Sequence, residues 1–199
     1  LEEDYECVDA MATSYGEKEV VCAKDIEMDN FIKYDMFAVV PAAVVTRDKK
    51  RISTRWEVGY SEGKKCVKAR FVAREFRKME VRNDLFAVSS SQCYSRVIDF
   101  IALQLGYKRA TLDLVCAFAQ TPEEEEVYVD PPVEWLDREE AAGRTRDVMW
   151  RLKKQLQGRR KAGQLFVRFL AENLKQIGFK RSDSAPQFFY HPEKLVFIE

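Results

Sequence analysis

Apolar and polar positions recur along this chain with two periods, and the change from one to the other marks its elements. Between residues 53 and 77 the period is two. STRWEVGY runs into a turn around Ser61-Glu62-Gly63-Lys64, and in KCVKARFVAREFR the residues Val67, Ala69, Phe71 and Ala73 alternate with Lys68, Arg70, Val72 and Arg74. Side chains of a strand point alternately to opposite faces, so a hairpin is expected whose second strand gathers Lys68, Arg70 and Arg74 on one face. Over residues 164–177 the period is helical. Leu165, Phe166, Phe169, Leu170, Leu174 and Ile177 form one stripe, Lys175 suits the negative end, and Gly178 suits the cap. Residues 96–105 form a second helix, apolar on most sides and ended by Gly106, which predicts packing on both sides.

Shorter segments complete the pattern. A short helix is expected over 25–32, with Asp25 near its start, and a strand over 36–45, broken at Pro41. Val127-Tyr128-Val129 reads as a strand closed by Pro131-Pro132. Residues 134–146 read as a charged insertion and 148–152 as renewed apolar structure; 83–94 reads as a loop with a short ordered portion. QFFYHPEKLVFIE holds two strands around a turn, with His191 exposed in that turn. The mixture predicts an α+β protein.

One stretch carries candidate chemistry. Residues 109–115 read as an apolar strand interrupted by a single acid, Asp113, and Glu123 to Glu126 follow as a solvated acidic turn. An acid inside a buried strand costs several kcal/mol unless it is paired, hydrogen-bonded or bound to a metal. Asp113 is therefore either a site residue or a satisfied structural carboxylate.

Composition narrows the classes. The apolar fraction is 46% and the charged fraction 33%, as in folded proteins, and no apolar run approaches the length of a membrane span. The formal net charge is zero but unevenly placed. Residues 1–35 balance to −8 and residues 44–78 to +8, and Arg151, Lys153, Lys154, Arg159, Arg160 and Lys161 form a further basic cluster. Such regions bind phosphates, or serve as solvated faces or as docking surfaces for the acidic N-terminal segment. The five cysteines are widely spaced without a CxxC, and His191 is the single histidine. That disfavours a Cys/His zinc site and a histidine-dependent nucleophile system, and suggests reduced, mostly structural thiols and an intracellular location. No glycine-rich phosphate loop is present.

The order of several motifs is more specific than any one of them. VKARFVAREF at 67–76, LDLVCAF at 112–118, EEEVYVDPP at 124–132, RLKKQLQGRRKAG at 151–163, and GFKRS followed by PQFFY within 178–190 together resemble the reverse transcriptase domain of Ty1/copia-type retrotransposons, from about Met28 onward. The resemblance implies a right-hand polymerase-like α+β fold of fingers and partial palm, with an antiparallel sheet and packed helices. Residues 1–24 would be an acidic arm, 25–106 fingers-like, and 107–199 a partial palm with the basic segment 151–161. It also implies roles. Asp113 would be the catalytic, metal-binding carboxylate of a two-magnesium site, and Phe118 would lie below the incoming sugar. Lys68 and Arg70 would approach the triphosphate, and Gln157-Gly158 would support nucleotide and template. Deoxynucleoside triphosphates and an RNA or RNA/DNA primer-template would be the partners.

Departures from the family pattern are specific. Its YGLKQAPRAW region reads QGRRKAGQLF here, so that Gln157, Lys161, Gly163, Gln164 and Phe166 stand for Tyr, Gln, Pro, Arg and Trp. Glu75 stands where a Gly usually precedes the final Phe of the fingers motif. The acid expected near the later GF motif falls at Ala185, two residues from Asp183, and the paired Asp-Asp motif is not in these 199 residues. One carboxylate cannot hold two divalent ions. Magnesium and nucleotidyl transfer are therefore expected only where a longer chain supplies the pair, and these residues alone are expected to be inactive. The alternative is a catalytically inactive reverse-transcriptase-like scaffold binding RNA or protein within a larger assembly.

Overall fold

A computed structural model describes residues 15–61, 65–76, 92–194 and 196–198. The expectations for the acidic residues 1–14, the turn at 62–64 and residues 83–91 lie outside them. The chain forms two compact units, each built from two separate stretches: 1–81 with 118–162, and 82–117 with 163–199.

In the first unit a four-stranded sheet has the order β1-β6-β5-β2. Strand β1 (Phe37–Pro41) pairs antiparallel with β6 (Val148–Leu152), and β6 with β5 (Val127–Val129), while β5 runs parallel to β2 (Lys50–Ile52). The sheet is thus mixed rather than antiparallel throughout, because the chain leaves β2 on a long crossover before returning in the same direction. The hairpin follows the period-two pattern: β3 (Thr54–Ser61) and β4 (Cys66–Ala73) pair with Trp56 opposite Phe71 and Glu57 opposite Arg70.

Trp150 is fully buried at the centre of this unit. The Phe37 ring stacks on it at 3.8 Å, and Trp135, Phe31 and Phe71 surround it at 5.3, 5.9 and 6.0 Å. Removing a ring from such a cluster costs roughly 3–5 kcal/mol.

Helix α1 spans Glu17–Lys33 and so begins well before the expected 25–32. Glu17 and Glu19 in its first turn and Lys33 in its last complement the helix dipole, and Ala23, Met28 and Phe31 are buried. Phe71 N–H, on the edge of β4 away from β3, donates to Glu27 Oε1 at 3.4 Å, so α1 covers a strand edge that would otherwise be open.

Helix α2 (Gln92–Leu105) belongs to the second unit and the short α3 (Ala117–Gln120) precedes Thr121. Helix α4 (Val133–Ala141) replaces the expected charged insertion: its Trp135 is buried, and its Glu134 accepts from Lys24 at 2.6 Å and from Trp56 Nε1 at 3.1 Å.

The second unit also holds α5 (Ala162–Gln176) and an antiparallel sheet of β7 (Lys180–Arg181), β8 (Phe189–His191) and β9 (Val196–Ile198). Ala171, Leu174 and Phe189 form its core. His191 is buried, not exposed in a turn: its Nδ1 accepts from Lys194 N–H at 3.2 Å and Phe179 meets it edge-on at 5.3 Å.

Residues 109–115 form no strand. Leu112, Leu114 and Val115 are exposed, as are Val97, Phe100 and Leu103 on α2, which is not packed on both sides as expected. An apolar run supplies strand propensity but not a partner edge, and no described strand pairs with this segment. Cys22, Cys66 and Cys116 are free and exposed, so these thiols are not core residues. No helix among the described residues is long and apolar enough to cross a membrane.

Candidate nucleic-acid interface

The turn at Gln157-Gly158 lies directly against the end of β4. Ala73 N–H donates to Gln157 O at 2.7 Å, and Gly158 has φ +86°. A Cβ on residue 158 would fall 2.1 Å from the carbonyl oxygen of Ala73, so both the backbone conformation and the close approach demand glycine. The same turn is tied to α3. Gln155 N–H donates to Thr121 O at 2.8 Å, Thr121 N–H to Phe118 O at 3.1 Å, and the Gln155 amide to Pro122 O at 3.1 Å. Half-buried Phe118 therefore shares a hydrogen-bonded scaffold with the turn.

Beside this contact lies an open groove of about 280 Å³, lined by Arg55, Arg74, Glu57 and Glu75 as its charged residues and by Phe76 and the Gln157-Gly158 turn. Phe76 is half exposed, with the Arg74 guanidinium 5.5 Å from its ring centre, while Arg55 pairs with Glu57 at 2.6 Å. Lys68 and Arg70 continue this face along β4, both half-buried. Burial pushes the Glu27 carboxyl above its ordinary value, against the Phe71 amide and the charges of Arg70 and Lys68, which favour its ionised form. An exposed ring with a guanidinium over it can stack a base and contact phosphate without reading sequence.

Asp113 is in the second unit, exposed within 107–116. Among the described residues no three His, Cys, Asp or Glu side chains gather in a way that could hold a metal ion.

Residues 34–196 match the family described as reverse transcriptase (RNA-dependent DNA polymerase). The chain belongs to the reverse transcriptase family. No curated protein and no solved structure matches it. Of the residues singled out in the sequence, this reverse transcriptase domain places Lys68, Arg70, Phe118, Gln157 and Gly158 in its first unit and Asp113 in its second.

The reverse transcriptase domain also holds a charge network that sequence reasoning missed. Arg159, with its side chain fully buried, pairs with Glu75 at 2.7 Å, Glu123 at 3.0 Å and Glu125 at 3.0 Å. Lys50 reaches Glu75 at 2.7 Å and Glu125 at 3.1 Å, and Lys161 reaches Glu125 at 3.0 Å. Arg159 and Lys161 are therefore engaged by the chain's own acids rather than forming part of a phosphate-binding cluster. Glu123 and Glu125 turn inward from what reads as a solvated acidic run. Burial works against the charge of Arg159, but Glu123, Glu75 and Glu125 overcome it and raise its pKa. Burial likewise pushes the Glu75 carboxyl up, and Lys50, the Arg160 amide and Arg159 outweigh it and hold it below its ordinary value. The one available signal was Glu75 itself, an acid in a strand end that otherwise reads as basic and apolar.

Proposed function

We propose that this domain grips the template and the incoming nucleotide in an RNA-directed DNA polymerase of the Ty1/copia type, with the fingers and partial palm of a right-hand polymerase. The reading rests on one observation above the others: Gly158 packed on Ala73 in the lining of a groove that exposes Phe76 with the Arg74 guanidinium over its ring. In that role Arg74 and Phe76 hold single-stranded template by charge and stacking. Lys68 and Arg70 face the triphosphate, Phe118 limits the space at the sugar, and the Gln157-Gly158 turn supports the nucleotide. Asp113 is the one catalytic carboxylate within these residues, and magnesium joins it where further carboxylates are supplied.

Primer extension on an RNA template, by the full protein and by its Asp113→Asn variant, tests the proposal. Magnesium-dependent extension by the wild type and none by the variant is the expected result. Equal extension by both removes Asp113 from the reaction.

A second reading, a scaffold that binds RNA or protein without polymerising, is favoured by the substituted region from Gln157 to Phe166, where Arg159 is taken up by Glu75, Glu123 and Glu125. Salt-sensitive RNA binding by a full protein that never extends a primer selects it.

A further inference from the structure

Glu75 and Arg159 both depart from the family pattern, one standing for a glycine and the other for the leucine of YGLKQAPRAW, and they meet. They are 84 residues apart in sequence, yet Arg159 Nη1 lies 2.7 Å from Glu75 Oε2, and both side chains are almost fully buried. Arg160 N–H donates to the same Glu75 oxygen at 2.9 Å. Among the described residues Lys50, Arg159 and Lys161 face Glu75, Glu123 and Glu125, and the Arg159, Glu75 and Glu123 side chains are almost fully buried. A buried charge left without its partner is strongly destabilising, whereas replacing both partners by uncharged groups is close to neutral.

The location gives the pair a task. Glu75 follows Ala73 by two residues and Arg159 follows Gly158 by one, so the ion pair lies beside the hydrogen bond from Ala73 N–H to Gln157 O. We infer that Glu75 and Arg159 are coupled positioning residues: together they fasten the Gln157-Gly158 turn to the end of β4 and so fix one wall of the groove. The inference rests on the reading of that groove as a nucleic-acid interface for its consequence, but the coupling itself is a property of the fold. Neither residue needs to touch nucleic acid. Each acts through the placement of Gln157 and Gly158.

The two substitutions are thus one change made in two places. Arg159→Leu alone takes from Glu75 and Glu123 the guanidinium that both face where they are buried. Glu75→Gly alone still leaves Arg159 with Glu123 and Glu125. The double variant Glu75→Gly/Arg159→Leu removes the carboxylate that Arg159→Leu strands at position 75, and leaves Glu123 as the buried acid without its guanidinium.

These three variants and Arg159→Lys, made in the full protein, give the test. Hydrogen exchange of the Ala73 amide reads the attachment of the turn, and anisotropy of a labelled single-stranded oligouridylate across a salt series reads the groove. Contacting residues couple by amounts that correspond to about tenfold in an equilibrium constant. The expected result is that Arg159→Leu loses about tenfold in both readouts, Glu75→Gly loses less, and the double variant loses clearly less than the two losses combined, because the stranded carboxylate of Glu75 is gone while buried Glu123 still lacks its guanidinium. Arg159→Lys, which keeps the charge without the fork that serves three carboxylates, falls between. If Arg159→Leu does not fold and the double variant does, the coupling stands. Losses that simply add in the double variant, or a double variant that fails to fold where Arg159→Leu folds, overturn it. Lost amide protection with unchanged oligouridylate affinity overturns the positioning role. A wild type that binds no oligouridylate refutes the interface reading, and with it the groove's consequence, while the amide series still decides the coupling.

Discussion

The carbonyl oxygen of Ala73 occupies the space that a side chain on Gly158 would need, 2.1 Å from an ideal Cβ. The obstacle is backbone on both sides, so neither can rotate away as a flexible side chain would. Gly143 isolates the other half of the cost: it has φ +76° in the same unit, with nothing within 4 Å of its would-be Cβ. Gly143→Ala is expected to cost about 1 kcal/mol, the penalty of the left-handed conformation alone. Gly158→Ala is expected to cost clearly more, about 3 kcal/mol, because the turn must also move off β4. Urea denaturation of the two variants measures the difference, and equal losses would mean that the turn is not packed on Ala73.

Helix α4 offers a second contrast. Glu134 is the shared acceptor of Lys24 and of the Trp56 indole, joining three elements of the first unit, whereas Arg146 pairs with Asp137 and Glu140 at exposed positions. Glu134→Ala strands a half-buried indole N–H and an ammonium, at a cost of about 1–3 kcal/mol. Arg146→Ala should stay within about 0.5 kcal/mol, as exposed pairs do. Chemical denaturation of both variants checks the order.

What the sequence could show was local. The hairpin was legible because period-two alternation is set by neighbours along one strand, and α5 because its stripe lies within a few turns. Glu123 and Arg159 were not, since nothing near either residue indicates that their side chains are directed at each other. The run of four acids reads as solvated until the guanidinium that draws it inward is known. Residues 109–115 err in the opposite way: the apolar run around Asp113 is strand-like, but a strand is made by its neighbour, and no described strand pairs there. Among site candidates, the glycine requirement at 158 was half visible, in that a Gly followed a polar turn, while its physical cause, the Ala73 carbonyl, lay far away in sequence.

Acid should destabilise the first unit in a defined window. The Glu75 and Glu134 carboxyls are held below their ordinary value near 4.5, Glu75 by Lys50 with the Arg160 amide and Arg159, and Glu134 by Lys24 and Trp56, in each case against burial. A carboxyl with a depressed folded-state pKa contributes stability that is complete above its unfolded value and disappears as pH falls through the folded one. The thermal midpoint should therefore drop as pH falls below about 4.5. A midpoint that stays level down to pH 3 would show that these ion pairs do not stabilise the fold.

Glu27 has the opposite sign and ties stability to the proposed interface. Burial raises its pKa, so its favourable contribution is complete only below the ordinary value near 4.5 and is lost as pH rises through the raised one. At neutral pH the ionised carboxylate is a cost, offset in part by the Phe71 amide and by Arg70 and Lys68. Glu27→Gln keeps an oxygen for the Phe71 N–H and removes the charge. The variant is expected to melt higher than wild type at pH 7 and to lose that advantage near pH 4. Because the same carboxylate partly neutralises Lys68 and Arg70, the variant should also bind an oligonucleotide more tightly, with a steeper dependence on salt. Oligonucleotide affinity measured across a salt series at pH 7 decides the point. A stabilised variant with unchanged affinity and salt slope would mean that the Lys68 and Arg70 face of β4 does not meet nucleic acid.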